Sequence, residues 1–229
     1  MDMPFKQIID PGHEHFHDMS VLGGAQVSFW PISTHKKLER ISGGRVSMEA
    51  RMMLIPEHCG THLDVPRHCL VDGADVGSVP LEQLVLPGHL LDLTKKTDGE
   101  AITVADLEEA EEKSGQKIGG GTAVLCWTGV DRDWGKPGFE TDRPYVPEES
   151  AQWLVDRGIT LFGTDLIGMD DPDEWWWPTH RAWLEAGVCM IQQMNNLGAL
   201  VGKEFILVAA PLKLRDGTGC PIRPIALVQ

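Results

Sequence analysis

Tyrosine is nearly absent: the 229 residues contain one Tyr against eight Trp. Basic residues are scarce too, with 20 Lys and Arg facing 34 Asp and Glu for a formal net charge of −14. Nucleic acid is gripped by clustered cations, so this balance excludes it as a partner. No stretch approaches the roughly 18 apolar residues of a membrane-spanning helix. Residues 1–11 also lack the apolar core of a secretory signal. The five cysteines (Cys59, Cys69, Cys126, Cys189 and Cys220) are odd in number and include no CxxC pair. That argues against a disulfide framework and against a cysteine zinc knuckle. Ser28, Ser33 and Ser47 have no G-x-S-x-G setting, so a serine nucleophile elbow is unsupported. The expectation is a soluble, cytoplasmic protein with no nucleic-acid or membrane partner.

What is present is ordinary globular material, 42% hydrophobic and 24% charged. It suffices for one core, and a single domain over 1–229 is expected. Alternating or continuous apolar runs predict strands over 26–32, 45–54, 89–93, 122–127, 159–162, 188–192, 205–210 and 222–228. Thr103 with Asp106, closed by Gly115, predicts a helix over 104–113. Pro147 and Gly158 bracket another over 148–156, and Gly187 ends a short one over 178–186. Acidic residues between Asp106 and Glu112 read as a solvated helix face. The predicted fold class is α/β, a mixed sheet core flanked by helices.

Chemistry concentrates in His58-Cys59-Gly60-Thr61-His62-Leu63-Asp64-Val65-Pro66-Arg67-His68. Gly60, Thr61, Val65 and Pro66 disfavour a helix here, and the Glu of a helical HExxH zinc site is missing. An extended ribbon instead places His58, His62, Asp64 and His68 on one side, with Cys59 and Leu63 on the other. A straight strand would hold His58 and His62 about 13 Å apart, whereas ligands of one ion sit within about 3–4 Å of each other. The ribbon must therefore bend, and Gly60 and Pro66 are placed to bend it. Two imidazoles and a carboxylate fit a divalent metal, with a third imidazole as acid/base. By contrast, His13, His15 and His17 lie outside this spacing and read as incidental or as a subunit contact. His35 and His89 read as structural.

The segment follows H-x-G-T-H-x-D-x-P-x-H and resembles the cyclase-type metal-dependent hydrolases, a family that includes kynurenine formamidase, isatin hydrolase and trans-dienelactone hydrolase. His180-Arg181, GVCMIQQMNNL, FILVAAPLKL and GCPIRPIAL resemble its later segments. The resemblance implies a fold of the swivelling β/β/α type, assembled as a homodimer or larger homo-oligomer. It implies metal ligation by His58, His62 and Asp64, with His180 assisting, and acid/base catalysis by His68. Twelve residues beyond that last histidine the dizinc members carry Glu, where this chain has Gln192. A carboxamide bridges two cations poorly, so the resemblance is to isatin hydrolase and a single Mn²⁺, with Zn²⁺ as the alternative.

The expected substrate is a small aromatic or cyclic molecule, and Trp30 and Trp176 are the candidates for a stacking wall. Cleavage of a cyclic amide is the first reading. Arylformamidase or dienelactone hydrolase activity is the alternative, and a non-catalytic metal or small-molecule binding module is the rival from a different class.

Overall fold

A computed structural model describes residues 4–19, 24–136, 139–141 and 143–229. In chain order its strands and helices are β1 (Gln7–Ile9), β2 (Ser28–Ser33), α1 (His35–Ser42), β3 (Ala50–Leu54), β4 (His62–Asp64), β5 (Val85–Asp92), α2 (Val104–Ser114) and β6 (Ala123–Trp127). There follow α3 (Glu148–Asp156), β7 (Leu161–Thr164), α4 (Pro178–Glu185), β8 (Cys189–Gln192), β9 (Phe205–Val208), β10 (Gly219–Pro221) and β11 (Ile225–Val228).

Nine strands form one mixed sheet in the order β1-β11-β9-β5-β6-β7-β8-β4-β10. Its centre, β5 to β8, is parallel, and those connections run through α2, α3 and α4. These strands are buried on both faces, which is why Ala123–Trp127 reads as an unbroken apolar run. One face packs Leu107, Leu154 and Trp183 of the helices against Val124 and Phe162. The other face buries Leu63, Leu125, Ile191 and Leu207 beneath loops and short 3-10 turns. The sheet curls, because the chain leaving β1 reaches the far side: His13 N–H donates to Thr61 Oγ1, and Asn195 N–H to the Pro11 carbonyl. Outside this body, β2 and β3 pair only with each other and form an arm with α1. No residue of α1 or β3 is buried.

The predicted helices appear where their caps placed them. Thr103 and Asp106 close a reciprocal capping box on α2, and Gly115 ends the helix in the left-handed conformation at φ 69°. Two expectations are corrected. The run 45–54 is a strand only over Ala50–Leu54, and its apolar side chains face no core because every residue of β3 is exposed. The ribbon 58–68 is extended only over His62–Asp64. Gly60, at φ 54°, turns the chain before it, and Pro66–His68 is a 3-10 turn after it.

Burial opposes ionisation of Asp106, but hydrogen bonds from Thr103 and then the ammonium of Lys96, 2.9 Å away, hold its pKa well below the usual carboxylate range. A carboxyl shifted downward on folding stabilises above its ordinary pKa and loses that contribution as the pH falls. Asp106→Asn is expected to cost about 1 kcal/mol at pH 7. In urea unfolding at several pH values, the deficit should shrink as the pH drops below about 4.

Candidate metal centre

The centre grows from β4, which is only three residues long yet lies between two antiparallel neighbours. β8 pairs His62 with Gln192 and Asp64 with Met190, while β10 pairs Asp64 with Gly219 and His62 with Pro221. His62, Asp64 and Gln192 therefore share one buried patch of the sheet. His58 enters from the turn before Gly60, and His68 from the 3-10 turn after Pro66. His180 reaches in from the first turn of α4, where Pro178 fits the first helical position.

Hydrogen bonds fix which ring nitrogens carry protons. His62 Nδ1–H donates to the Gly60 carbonyl at 2.7 Å, leaving a lone pair on Nε2, 3.3 Å from Asp64 Oδ1. Glu57 is acceptor-only when ionised, so the Thr218 hydroxyl donates to its Oε2 at 2.6 Å. Thr218 Oγ1 then accepts from His58 Nε2–H at 2.8 Å. That leaves a lone pair on His58 Nδ1, which lies 2.7 Å from the same Asp64 oxygen. Two proton-free nitrogens thus converge on one carboxylate oxygen, an arrangement that repels unless positive charge lies between them. The donor set fits a divalent cation on this ground, and the outer hydrogen bonds are those that orient ligating imidazoles.

The charges respond accordingly. Burial disfavours a charge on His62, but the Asp64 carboxylate pulls its pKa upward. Burial likewise opposes ionisation of Asp64, yet the adjacent His62, with a proton in place of a cation, and the nearby His58 ring hold its pKa well below the ordinary range. Gln192 donates from Nε2 to Asp64 Oδ2 and lies 3.0 Å from His180 Nε2, while its Oε1 accepts from Gly168 N–H at 2.8 Å. Asp170 caps α4 through the N–H of Thr179 at 2.8 Å and takes the Nδ1–H of His180. His180 therefore turns its Nε2 lone pair toward Gln192.

His68 stacks 4.0 Å from His58, centroid to centroid, and one of its nitrogens falls within 4.8 Å of ligand atoms of His58 and Asp64. Burial first of all, helped by the neighbouring imidazoles, lowers its pKa to about 4, so the ring is neutral at pH 7. Around these groups lies a cavity of about 400 Å³. Trp177, in the left-handed conformation at φ 54°, stacks 6.0 Å from His68. Strain of this kind persists where surrounding structure imposes it.

His58, His62, Asp64, His68, His180 and Gln192 are all brought together around this cavity. Trp30 and Trp176 are not. Trp30 lies on the exposed arm, and the cavity is walled by Trp175 and Trp177 rather than Trp176. Trp176 instead packs edge-on against Trp175, outside the lining. His13 and His15 are supports rather than incidental residues. His13 stacks 3.9 Å from Trp134, and His15 Nε2 lies 3.0 Å from the Cys59 carbonyl and closes against Gly60. Glu57, Asp170, Thr218 and Gly219 escaped the sequence reading. Asp170 meets its partners on the following helix, ten residues on, while Glu57 and His58 meet Thr218 and Gly219 about 160 residues away, and no motif spacing marks any of them.

The Cyclase family model matches residues 9–171. An isatin hydrolase from Roseibium aggregatum is 31% identical over 196 residues, covering 77% of this chain and 73% of the relative. A kynurenine formamidase from Salinibacter ruber is 25% identical over 179 residues, covering 78% of this chain and 80% of its own. A crystal structure of an isatin hydrolase bound to the product analogue thioisatinate superposes with a TM-score of 0.85 at 26% identity, covering 97% of this chain and 92% of that one. Motif, sheet order and matched span agree, and the chain belongs to the Cyclase family.

Proposed function

We propose that this chain, acting as one domain over 1–229, is a metal-dependent hydrolase that opens a cyclic amide fused to an aromatic ring. The observation that carries this is the pair of imidazole lone pairs facing the single Asp64 oxygen. The similarity to isatin hydrolases selects the substrate class.

A divalent cation held by His58, His62, Asp64 and Gln192, with His180 beside them, would supply Lewis acidity and acidify a water, in favourable cases to a pKa of about 7. Ligation by the Gln192 carboxamide oxygen requires the amide to turn, since its Oε1 rests on Gly168 N–H. The donor set then has one carboxylate and a neutral carboxamide, which favours a single ion and suits Mn²⁺, with Zn²⁺ the alternative. His68, neutral and facing the cavity, accepts the proton of the attacking water and returns it to the departing nitrogen. Trp175 and Trp177 hold the planar ring and exclude water. Arylformamide hydrolysis is the alternative within the same site, on the similarity to kynurenine formamidases.

The assembly is a homodimer or larger homo-oligomer. Isolated two-stranded ribbons are marginal in water, yet the arm exposes Trp30, Ile32, Met52, Met53 and Leu54. The arm also carries Lys36, Lys37, Arg40, Arg45 and Arg51 against Glu39 and Glu49, in a chain of net charge −14. A second copy offers the matching acidic surface. Five free thiols suit a cytoplasmic setting, and no helix among the described residues is long and apolar enough to cross a membrane.

Isatin turnover with added Mn²⁺ or Zn²⁺ tests the reaction directly: chelation should abolish it, and activity that survives complete chelation refutes the mechanism. His68→Ala should retain metal by stoichiometry and lose about 100-fold or more in kcat; a binding module would show no turnover to lose. Gly219→Ala places a methyl group 2.4 Å from His58 Cε1 and 2.8 Å from Nδ1. It should weaken metal binding at least about tenfold, read by competition with a chelating dye. Ile32→Glu with Leu54→Glu should convert the assembly to monomer in light scattering.

A further inference from the structure

Within the cavity sits a cation that its protein partners do not account for. Arg143, ahead of α3, lines the cavity together with Gly168, Asp171 and Trp177. Its Nε is buried without a hydrogen-bond partner, and among the described residues the contacts of Nη1 are long, 3.5 Å to the Pro144 carbonyl and 3.4 Å to that of Asp170. A guanidinium has five N–H donors, so most of its capacity is unused. Asp170 and Asp171 attract it, but both are engaged elsewhere. Asp170 holds Thr179 and His180, while Asp171 accepts from Asp173 N–H and from the Tyr145 hydroxyl. Neither makes an ion pair with Arg143 among the described residues.

Gly168 fixes where this charge lies. Its φ is 56°, and a methyl group on it would come within 3.4 Å of Arg143 Nη2. The N–H of the same glycine donates to Gln192 Oε1. The guanidinium thus stands one residue away from Gln192, and all three residues face the cavity. A desolvated cation that is always charged is stable when an anion completes its shell.

We propose that Arg143 is the anion-binding residue of this pocket, gripping the paired oxygens of an arylglyoxylate group, a carbonyl beside a carboxylate on an aromatic ring. The proposal rests on the hydrolase reading, which generates such a group. Opening a cyclic α-keto amide adds the water oxygen to the amide carbon and breaks its C–N bond. The nitrogen gains one proton and the second passes to solvent, so the product is an arylglyoxylate anion. The planar guanidinium fork spans two adjacent oxygens, which a lysine ammonium cannot do. Arg143 therefore favours the anionic arylglyoxylate over uncharged carbonyl compounds of the same shape.

Calorimetric titration of the Mn²⁺-loaded protein with phenylglyoxylate and with its uncharged methyl ester separates charge recognition from ring binding. Arg143→Gln should weaken the anion about tenfold or more, about 1.4 kcal/mol, and leave the ester and Mn²⁺ affinities unchanged; Arg143→Lys should recover part of the loss. Equal losses on both probes, an unchanged anion affinity, or a parallel loss of Mn²⁺ overturns the proposal. Isatin turnover by the same wild-type preparation judges the reaction separately. Arg143-dependent anion binding without any cyclic-amide turnover supports the anion site and sinks the hydrolase reading. Turnover with unchanged kcat, KM and phenylglyoxylate affinity in Arg143→Gln does the reverse.

Discussion

One buried carboxylate organises this protein. Asp64 is fully enclosed, and its oxygen is faced by two imidazole nitrogens whose rings donate an N–H elsewhere from the opposite nitrogen. Burying a charge costs several kcal/mol unless it is compensated, so β4 is tolerable only where a cation, or a proton in its stead, can sit among these groups. Much of the surrounding architecture serves that arrangement: the Gly60 carbonyl on His62, the Glu57–Thr218 relay on His58, and the absence of a side chain at Gly219.

Sheet order explains how so short a strand holds such a group. β4 is flanked by β8, which supplies Gln192, and by β10, which supplies the space for His58. The parallel centre brings β8 into register, and the helix before it carries His180. The loop preceding that helix adds Asp170 and the tryptophans. The candidate metal donors, His68 and the tryptophans that line the cavity thus gather around β4 and the end of β8.

What could be read in the sequence was local. The caps of α2 are Thr103, Asp106 and Gly115, within a dozen residues of one another, and the run 122–127 needs no context to read as a buried strand. The cluster His58 to His68 was legible for the same reason, as was the need for bends at Gly60 and Pro66. The extended ribbon was overdrawn, because the left-handed turn at Gly60 and the 3-10 turn at Pro66 leave only His62–Asp64 in the sheet. α1 was not predicted although Thr34 and Gly43 cap it, since none of its residues is buried and no apolar stripe marks it. The pairing of Thr218 with His58, 160 residues apart, leaves no trace in spacing. Nor does the choice of Trp175 and Trp177 over Trp176, which depends on an irregular backbone rather than a period.

The same span has a temporal side. Two supports of the centre, His13 and His15, leave the ribosome long before Thr218 and Gly219 do. Contacts so far apart in the chain form slowly, since loop closure must precede their reward. During synthesis the nascent polypeptide therefore carries its imidazoles in an unfinished cradle until Thr218 and Gly219 have joined them. A cation arriving before then would meet an unoriented His58, because the groups that aim this ring come 160 residues after it.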